Sequence, residues 1–371
     1  MCCLLQIYYL LLFTIYMEKN KKLKILFHIP SLETVYAAGF IYEGYKDAFL
    51  ELGHEFRPLT SSNDINKVLN IYHPDIFISS LNDYCLKFLN LKLLHKFRKN
   101  GMVFFNQIGS WNLSINQFSG EALKNKPFYI DLIKNGLAGD IFFNWFQQDD
   151  SCMDGFTNST GYPFHTILLA ANIKKYFYEY DKKYQSNISY VGSYLPDKKE
   201  FINKHVLPLM KKYDVRVYGS DWTFQDRLLG YVQKVGQYFN INPLKKVRSI
   251  KLPLDDERKV YSSSAISLNM HENHQRLNGK DFNERTFKII ASGGFEICDN
   301  VKVLRKYFNK KELIIAENTH DWFEKIEYYL KYPEKRVPII EAGRKKVLEL
   351  HTYHNRVAQI ISIYNNFKKN K

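Results

Sequence analysis

Short apolar runs of strand length alternate with longer segments of helical spacing along the first half of the chain. These runs are KILFHIP (24–30), HEFRPL (54–59), DIFISS (75–80), MVFFNQIG (102–109) and DIFFNW (140–145). The segments between them, such as IYEGYKDAFLELG (41–53), place apolar residues at helical spacing and end at a glycine. Strands separated by helices predict right-handed βαβ units and therefore a parallel sheet.

A second alternation of the same kind follows the polar stretch EYDKKYQSN (179–187). Its strand-like runs are NISYVGS (187–193), VRVYGS (215–220), AISLNM (265–270), FEICDN (295–300) and ELIIAEN (312–318). The predicted fold class is α/β, with two Rossmann-like parallel-sheet domains that face each other across a cleft. We predict an N-terminal domain over residues 17–180, a C-terminal domain over 187–360 and a basic tail over 361–371.

The cleft between two such domains has a functional consequence. Open parallel sheets bind ligands outside the carboxyl ends of their strands. When two sets of strand ends face each other, they enclose a space that holds two reactants and excludes water. This architecture favours an enzyme that brings a donor and an acceptor together.

The first residues of the chain stand apart from this pattern. Residues 1–16 are mostly apolar, but they are shorter than the roughly 20 residues that span a bilayer. No basic residue precedes the run and no cleavage site follows it, which argues against a signal peptide. We interpret the segment as an extension before a true start at Met17, with a membrane-touching anchor as the alternative.

Composition places the chain among folded proteins, with 45% apolar and 25% charged residues. The five cysteines form no C-x-x-C pair, which is typical of free thiols in a reducing compartment. A net charge of +15 is compatible with nucleic acid, an anionic membrane or a phosphorylated substrate as partner and does not select among them. No zinc-finger spacing, arginine-rich arm or RNA-binding signature is present, so no nucleic-acid partner is expected.

The segment at 267–300 carries most of the candidate chemistry. It runs from a strand through a polar loop into a helix, a double glycine and another strand. We expect Asn283 to cap the helix and Arg285 to lie in its first turn, where unpaired backbone N–H groups favour anions. A guanidinium there can bind two phosphate oxygens. The alternative is that Asn283 only caps the helix and Arg285 is a solvated surface residue.

This segment resembles the C-terminal domain of the CgeB-type glycosyltransferases, a branch of the glycosyltransferase group 1 superfamily. The matching positions are Leu268, Asn269, His271, Asn283, Arg285, Phe287, Ala291, Gly293, Gly294, Phe295 and Asp299. Two further blocks agree, YVGSYLPDKKEFI…VRVYGSDW within 190–222 and the stretch 328–357. The resemblance therefore covers most of residues 187–360, whereas the N-terminal half matches only loosely.

The resemblance implies a GT-B fold and a nucleotide-sugar held mainly by the C-terminal domain. Transfer in such enzymes needs no metal and no other cofactor, and the nucleotide-sugar is the donor substrate. The residues that would line the donor site are Gly192, Ser193, Asn269, Asn283, Arg285, Lys288, Gly293 and Gly294. His271 and His165 are the candidate catalytic residues, and His28 and Glu33 are further candidates for a base.

Lys288 departs from the family pattern. The family usually has a glutamate at this position, which accepts hydrogen bonds from the nucleotide ribose, and an ammonium cannot accept them. Lys288 follows Glu284 by four residues, the order that favours an ion pair on a helix. It either forms that pair on the surface or faces the cleft and adds its charge to that of Arg285.

The leading hypothesis is a glycosyltransferase whose acceptor is a cell-envelope glycan, a lipid-linked intermediate or a protein. We expect it in the cytoplasm, with peripheral contact to the inner face of the membrane as a further option. A sugar-nucleotide epimerase is one alternative, because one fold supports several chemistries. A non-catalytic nucleotide-binding subunit is the other, because Lys288 replaces the ribose-binding carboxylate.

Overall fold

The computed structural model describes residues 21–33, 37–113, 121–148, 150–194, 198–248 and 252–371. The predicted extension at 1–16 lies outside the described residues. Within the described residues, no helix is long and apolar enough to cross a membrane.

The N-terminal sheet has six strands, all parallel, in the order β2-β1-β3-β4-β5-β6. The strands are β1 Lys24–His28, β2 Glu55–Leu59, β3 Ile76–Ser80, β4 Val103–Gln107, β5 Ile141–Asn144 and β6 Phe164–Thr166. The pattern predicted the first five. It missed β6, a three-residue edge strand that is too short to show a periodicity.

Helices cover both faces of this sheet. The α-helices are α1 Ala37–Glu51, α2 Ile65–Tyr72, α3 Asp83–Leu86, α4 Leu91–Lys99, α5 Pro127–Lys134 and α6 Phe156–Thr160. Successive strand residues point to opposite faces, so Ile25 packs in a core with Phe49 of α1 and Leu26 packs in another with Leu69 of α2. This burial on both sides explains why the central strands β1, β3, β4 and β5 are mostly apolar.

The C-terminal sheet has five parallel strands in the order β11-β10-β9-β7-β8. The strands are β7 Ser186–Val191, β8 Val215–Tyr218, β9 Ser264–Asn269, β10 Glu296–Asp299 and β11 Ile314–Ala316. All five correspond to runs predicted from the sequence. The chain therefore forms two parallel-sheet α/β domains, as predicted, while their boundaries at 180 and 187 stay predictions.

The α-helices of the second half follow the same layered arrangement. They are α7 Lys199–His205, α8 Phe224–Tyr238, α9 Glu257–Ser263, α10 Asn273–Asn278, α11 Arg285–Ala291, α12 Leu304–Tyr307, α13 Thr319–Lys331, α14 Val337–Leu350 and α15 Tyr353–Lys369. The sequence pattern gave no helix at α8, where we expected irregular structure. Its Thr223 side chain accepts from the Asp226 N–H, which supplies an N-cap within a mixed polar segment.

The last helix packs against the N-terminal sheet. Val357, Ile360 and Ile361 of α15 are buried in the same core as Tyr45 and Phe49 of α1. Helix α15 runs to Lys369, so most of the predicted basic tail over 361–371 lies within it, and the bounds of that segment stay a prediction. The helix is amphipathic, and its apolar face covers one layer of the N-terminal sheet while its lysines remain outside.

Candidate nucleotide-sugar site

The order of the C-terminal strands creates a crevice between β7 and β9. Chain connections from these two neighbouring strands run to opposite sides of the sheet, a switch point at which α/β proteins bind ligands. Gly192 and Ser193 follow the end of β7, and Asn269 ends β9. The structure thus brings three of the predicted donor-site residues to one edge of the sheet.

Asn269 is fully buried and links four surrounding side chains. Its Nδ2 donates to Thr286 Oγ1 at 2.9 Å and to Glu296 Oε1 at 2.8 Å. Its Oδ1 accepts from Asn283 Nδ2 and Arg285 Nη1, both at 3.0 Å. The amide uses both of its ends, so it fixes the loop before α11 against the end of β9.

Arg285 lies at this edge with its guanidinium close to the backbone of Gly192. A Cβ on Gly192 would lie 2.9 Å from Arg285 Nη2 and 2.5 Å from the hydroxyl of Tyr190, so only glycine fits here. Among the described residues, no carboxylate forms an ion pair with Arg285. The solvated alternative does not fit this partly buried position.

Asn283 lies one position before Glu284, which is the N-cap residue of α11, so the predicted cap is displaced by one residue. Asn283 Oδ1 accepts from the backbone N–H of Arg285 at 3.1 Å. The helix itself has only seven residues, Arg285–Ala291. A helix of that length has a weak dipole, so the Arg285 side chain is the main positive group at this edge.

Glu296 is a buried member of the cluster that the sequence pattern did not single out. Its Oε1 accepts from Asn269 and from Thr286, while Oε2 has no hydrogen-bond partner in the described part of the chain. Burial raises the pKa of Glu296 to about 7. A carboxylate within the apolar run FEICDN was the signal that could have revealed it.

His271 is completely buried and lies two residues beyond the end of β9. Its Nδ1 lies 2.6 Å from Asp299 Oδ1, and Arg276 lies 3.6 Å from the other Asp299 oxygen. Burial alone would raise the pKa of Asp299, but His271 and Arg276 hold it below its usual value. The ionised Asp299 accepts the Nδ1 proton, which leaves Nε2 of His271 without a described partner.

The surroundings of Lys288 match neither predicted alternative, a surface ion pair or a position that faces the cleft, in full. Lys288 is 6% exposed, and its Nζ lies 2.9 Å from Glu284 Oε1 and 3.7 Å from Glu257 Oε1. The same ammonium lies 3.4 Å from the ring centroid of Phe40 on α1 of the N-terminal domain. The predicted pair with Glu284 forms, but the pair is buried at the domain interface instead of solvated on the surface.

The N-terminal sheet has its own switch point, between β1 and β3. His28 ends β1, and its Nδ1 lies 2.9 Å from Ser79 Oγ on β3, while Nε2 has no described partner. Burial lowers the pKa of His28 to about 3, so the imidazole is neutral at physiological pH. Glu33, in the loop after β1, pairs with Lys246 at 3.4 Å.

The two domains also meet around this loop. Gln233 on α8 donates to the backbone carbonyl of Glu33 at 3.1 Å. Lys280 pairs with Asp150 at 3.0 Å, and Trp145 Nε1 donates to Asp281 at 3.3 Å. These contacts, together with Phe40 over Lys288, bring the two switch points to the same region of the molecule.

Comparison with known proteins finds sequence similarity in the second half of the chain. Residues 199–362 match the family model described as glycosyl transferase-like. The chain is 25% identical over 197 residues to the spore protein CgeB of Bacillus subtilis (strain 168), a match that covers 50% of this chain and 56% of CgeB. The match thus spans about half the length of this curated relative. The predicted resemblance to CgeB-type glycosyltransferases is confirmed.

Solved structures extend the similarity to the whole fold. The sucrose-phosphate synthase of Thermosynechococcus elongatus superposes with a TM-score of 0.64 at 11% identity, over 95% of this chain and 100% of that one. HepE of Anabaena, solved with UDP and glucose, gives 0.60 at 11% identity, over 93% and 100%. A glycosyltransferase from Rickettsia africae gives 0.61 at 14% identity, over 95% and 100%. The chain has the GT-B fold.

Within this GT-B frame, two predicted donor-site residues lie elsewhere. Gly293 and Gly294 follow the far end of α11, and the helix separates Arg285 from Ala291 by about 9 Å. A Cβ on Gly294 would lie 2.9 Å from the carbonyl oxygen of Tyr261 in α9, so this glycine permits close packing of the turn after α11 against α9. Gly293 and Gly294 therefore lie at the opposite edge of the sheet from Arg285, because a helix carries its two ends to opposite edges, and their role at the donor site stays a prediction.

His165 lies far from His28 within the N-terminal sheet. It lies on the edge strand β6, four strands from β1 in the sheet order, or about 19 Å at the usual strand spacing. Burial lowers the pKa of His165. No hydrogen bond or ion pair with the described residues involves its side chain, so its catalytic role stays a prediction.

Proposed function

We propose that this chain transfers a sugar from a nucleotide-sugar bound at the switch point between β7 and β9. The observation that carries the proposal is the Arg285 guanidinium, held by Asn269 at 3.0 Å and free of any described carboxylate. Its charge is therefore available to a diphosphate. Gly192 lets the backbone and a ligand approach this group closely.

The reaction class follows from where charge develops. When the bond between sugar and diphosphate breaks, negative charge accumulates on the leaving phosphate, and a fixed cation stabilises it. Arg285 supplies this cation, so we propose transfer without a metal, and a chelator should leave turnover unchanged. Arginine suits the role because its planar group binds two phosphate oxygens at once.

His271 is the proposed catalytic residue on the donor side. Asp299 holds its Nδ1 proton, so Nε2 is the nitrogen that would meet the donor sugar or the acceptor hydroxyl. On the acceptor side, His28 ends β1 at the N-terminal switch point and offers Nε2 to a hydroxyl. His165 remains the alternative proposed from the sequence.

The acceptor is proposed to be a glycan, a lipid-linked intermediate or a protein that enters from the N-terminal domain. HepE was solved with UDP-glucose, and a starch synthase of Arabidopsis thaliana was solved with ADP and acarbose. Those complexes support a nucleoside diphosphate as the part of the donor that the protein binds. The cytoplasmic location and the peripheral membrane contact stay predictions.

A nucleotide-binding protein without transferase activity is the second candidate. The observation that favours it is the buried pairing of Lys288 with two carboxylates. Lys288 stands where CgeB-type enzymes usually have a glutamate that accepts hydrogen bonds from the ribose, and its pairing with Glu284 and Glu257 supplies no such acceptor. Hydrolysis of donors from a panel of nucleotide-sugars would separate the two candidates, because a pure binder releases no sugar.

Arg285→Ala tests the donor site by calorimetry with UDP, ADP and GDP. We expect the best nucleotide to bind about 1.5–3 kcal/mol more weakly, the usual contribution of a hydrogen bond to a charged group. Arg285→Lys should recover only part of the loss, because an ammonium cannot bind two oxygens in a fork. Arg57→Ala, on the exposed strand β2, is the matched control. Equal affinity of Arg285→Ala and Arg57→Ala would refute the placement.

A further inference from the structure

A groove of about 690 Å³ lies at the edge of the C-terminal sheet opposite to Arg285. It is lined by residues at the amino ends of four strands, namely Ser186, Asp214, Ser264 and Phe295. The six residues of β9 separate this edge from Asn269 by about 17 Å. The groove is therefore distinct from the donor site, and its volume is that of a small-molecule pocket.

The double glycine that we had assigned to the donor site borders this groove. Gly293 has a φ of 73°, and a Cβ there would lie 3.0 Å from Cδ2 of Tyr178. Tyr178 is 58% exposed. Glycine at 293 thus leaves room for the ring of Tyr178, which lines the groove and is exposed.

The charge of the groove is positive. Lys182, Arg216 and Arg336 line it together with one carboxylate, Asp214. Arg216 pairs with Asp214 at 3.4 Å, whereas no described carboxylate pairs with Lys182 or Arg336. Two cations therefore remain uncompensated.

Arg336 is the more unusual of the two. It is partly buried and donates through Nη1 to the carbonyl oxygen of Ala265 at 2.5 Å. Burial lowers the pKa of Arg336, which shows that its charge is partly desolvated. A partly desolvated cation without a counter-ion is costly, and a bound anion would offset that cost.

The other walls indicate more than a simple ion. Pro333, Val337 and Ile340 line the groove as apolar residues, and the exposed aromatic side chain of Tyr178 lines it as well. Sugar rings combine an apolar C–H face with polar edges, and they fit a surface that alternates aromatic, apolar and polar groups. We infer that this groove is a second binding site, specific for an anionic saccharide and independent of the nucleotide site.

A heparin hexasaccharide is a suitable probe, with neutral maltohexaose and inorganic sulfate as comparisons. Calorimetry of the full chain at fixed salt should show that the hexasaccharide binds and that Lys182→Glu weakens it about tenfold or more, the effect expected on losing a charged hydrogen bond. Lys67→Glu, an exposed lysine of α2 in the N-terminal domain, makes the same charge change far from the groove. It should weaken binding less than about twofold, since only screened long-range charge is altered.

Two further measurements complete the test. Tyr178→Ala should weaken binding of the hexasaccharide without changing the affinity for sulfate. Lys182→Glu should leave the affinity for UDP unchanged. Absence of hexasaccharide binding, equal losses in Lys182→Glu and Lys67→Glu, or equal binding of maltohexaose would overturn the inference. The inference would also be overturned if inorganic sulfate, at the concentration of sulfate groups in the hexasaccharide, displaced the hexasaccharide. A loss of UDP affinity in Lys182→Glu would overturn it as well.

Discussion

Replacement of Lys288 with methionine removes a charge that the structure buries between two acidic side chains. The ammonium lies 2.9 Å from Glu284 and 3.7 Å from Glu257, and the ring of Phe40 covers it at 3.4 Å. Methionine preserves most of the side-chain volume, so the packing against Phe40 is largely retained. The variant therefore isolates the effect of the charge.

The expected loss can be worked from these contacts. Removal of one partner of a buried ion pair costs about 3–5 kcal/mol, because the remaining charge is left uncompensated. Glu257 keeps the hydroxyls of Tyr176 and Tyr261 at 2.6 and 2.7 Å, so only Glu284 loses its main partner. We therefore expect about 3 kcal/mol, which corresponds to a fall of about 6–12 °C in the melting temperature of a domain of this size.

Lys46→Met is the matched control. Lys46 also pairs with a glutamate, Glu43, and lies 5.7 Å from the ring of Tyr42, but its side chain is 31% exposed. A solvated pair of this kind contributes about 1 kcal/mol or less. Thermal unfolding of both variants by circular dichroism checks the difference. If Lys288→Met melts as high as Lys46→Met, the buried-pair reasoning is wrong.

The same variant tests the nucleotide-binding role assigned to Lys288 from the sequence. The Lys288 ammonium contacts two carboxylates and the ring of Phe40 at the domain interface, so it is not available to a nucleotide. Lys288→Met should therefore leave the ratio of affinities for UDP and 2′-deoxy-UDP unchanged. A changed ratio would show that Lys288 contacts the ribose despite these partners.

Two further predictions concern stability. The unfolded state binds a proton at His28 near pH 6.5 while the native state does so only near pH 3, so stability should fall as pH decreases through this window. Between pH 6.5 and 5 the loss of unfolding free energy due to His28 is about 1.6 kcal/mol. His28→Gln should remove this contribution, as measured by urea titrations at the two pH values. An unchanged pH dependence of stability in the variant would contradict the buried neutral state of His28. Ile360→Ala, at a fully buried position of α15, should cost about 2–5 kcal/mol and expose the N-terminal domain to limited proteolysis, whereas exposed Ser362→Ala should not.

The hydrophobic pattern determined the two parallel sheets of this protein. Strands buried on both faces are rich in apolar residues, so runs such as DIFISS and DIFFNW could be placed from the sequence. Strand β6 and helix α8 escaped prediction. The first has three residues, and the second mixes polar and apolar positions because one of its sides meets the Glu33 loop of the other domain.

The sequence also indicated part of the donor site. Gly192, Asn269, Asn283 and Arg285 lie in or beside strand ends, and parallel strands bring such positions to one edge. Their convergence on Asn269 follows from the neighbouring positions of β7 and β9. The helix after Arg285 then carries Gly293 to the opposite edge, a consequence of helix length that the motif alone did not reveal.

Tertiary structure alone decided the surroundings of single charged residues. Lys288 was identified as unusual, but its partners Glu257 and Phe40 come from positions 31 and 248 residues away in the chain, and local periodicity contains no information about them. The raised pKa of Glu296 and the lowered pKa of His28 likewise result from desolvation by distant segments. Spacing along the chain fixes which residues share a strand or a helix face, whereas the packing of the two domains fixes which charges are buried and what they contact.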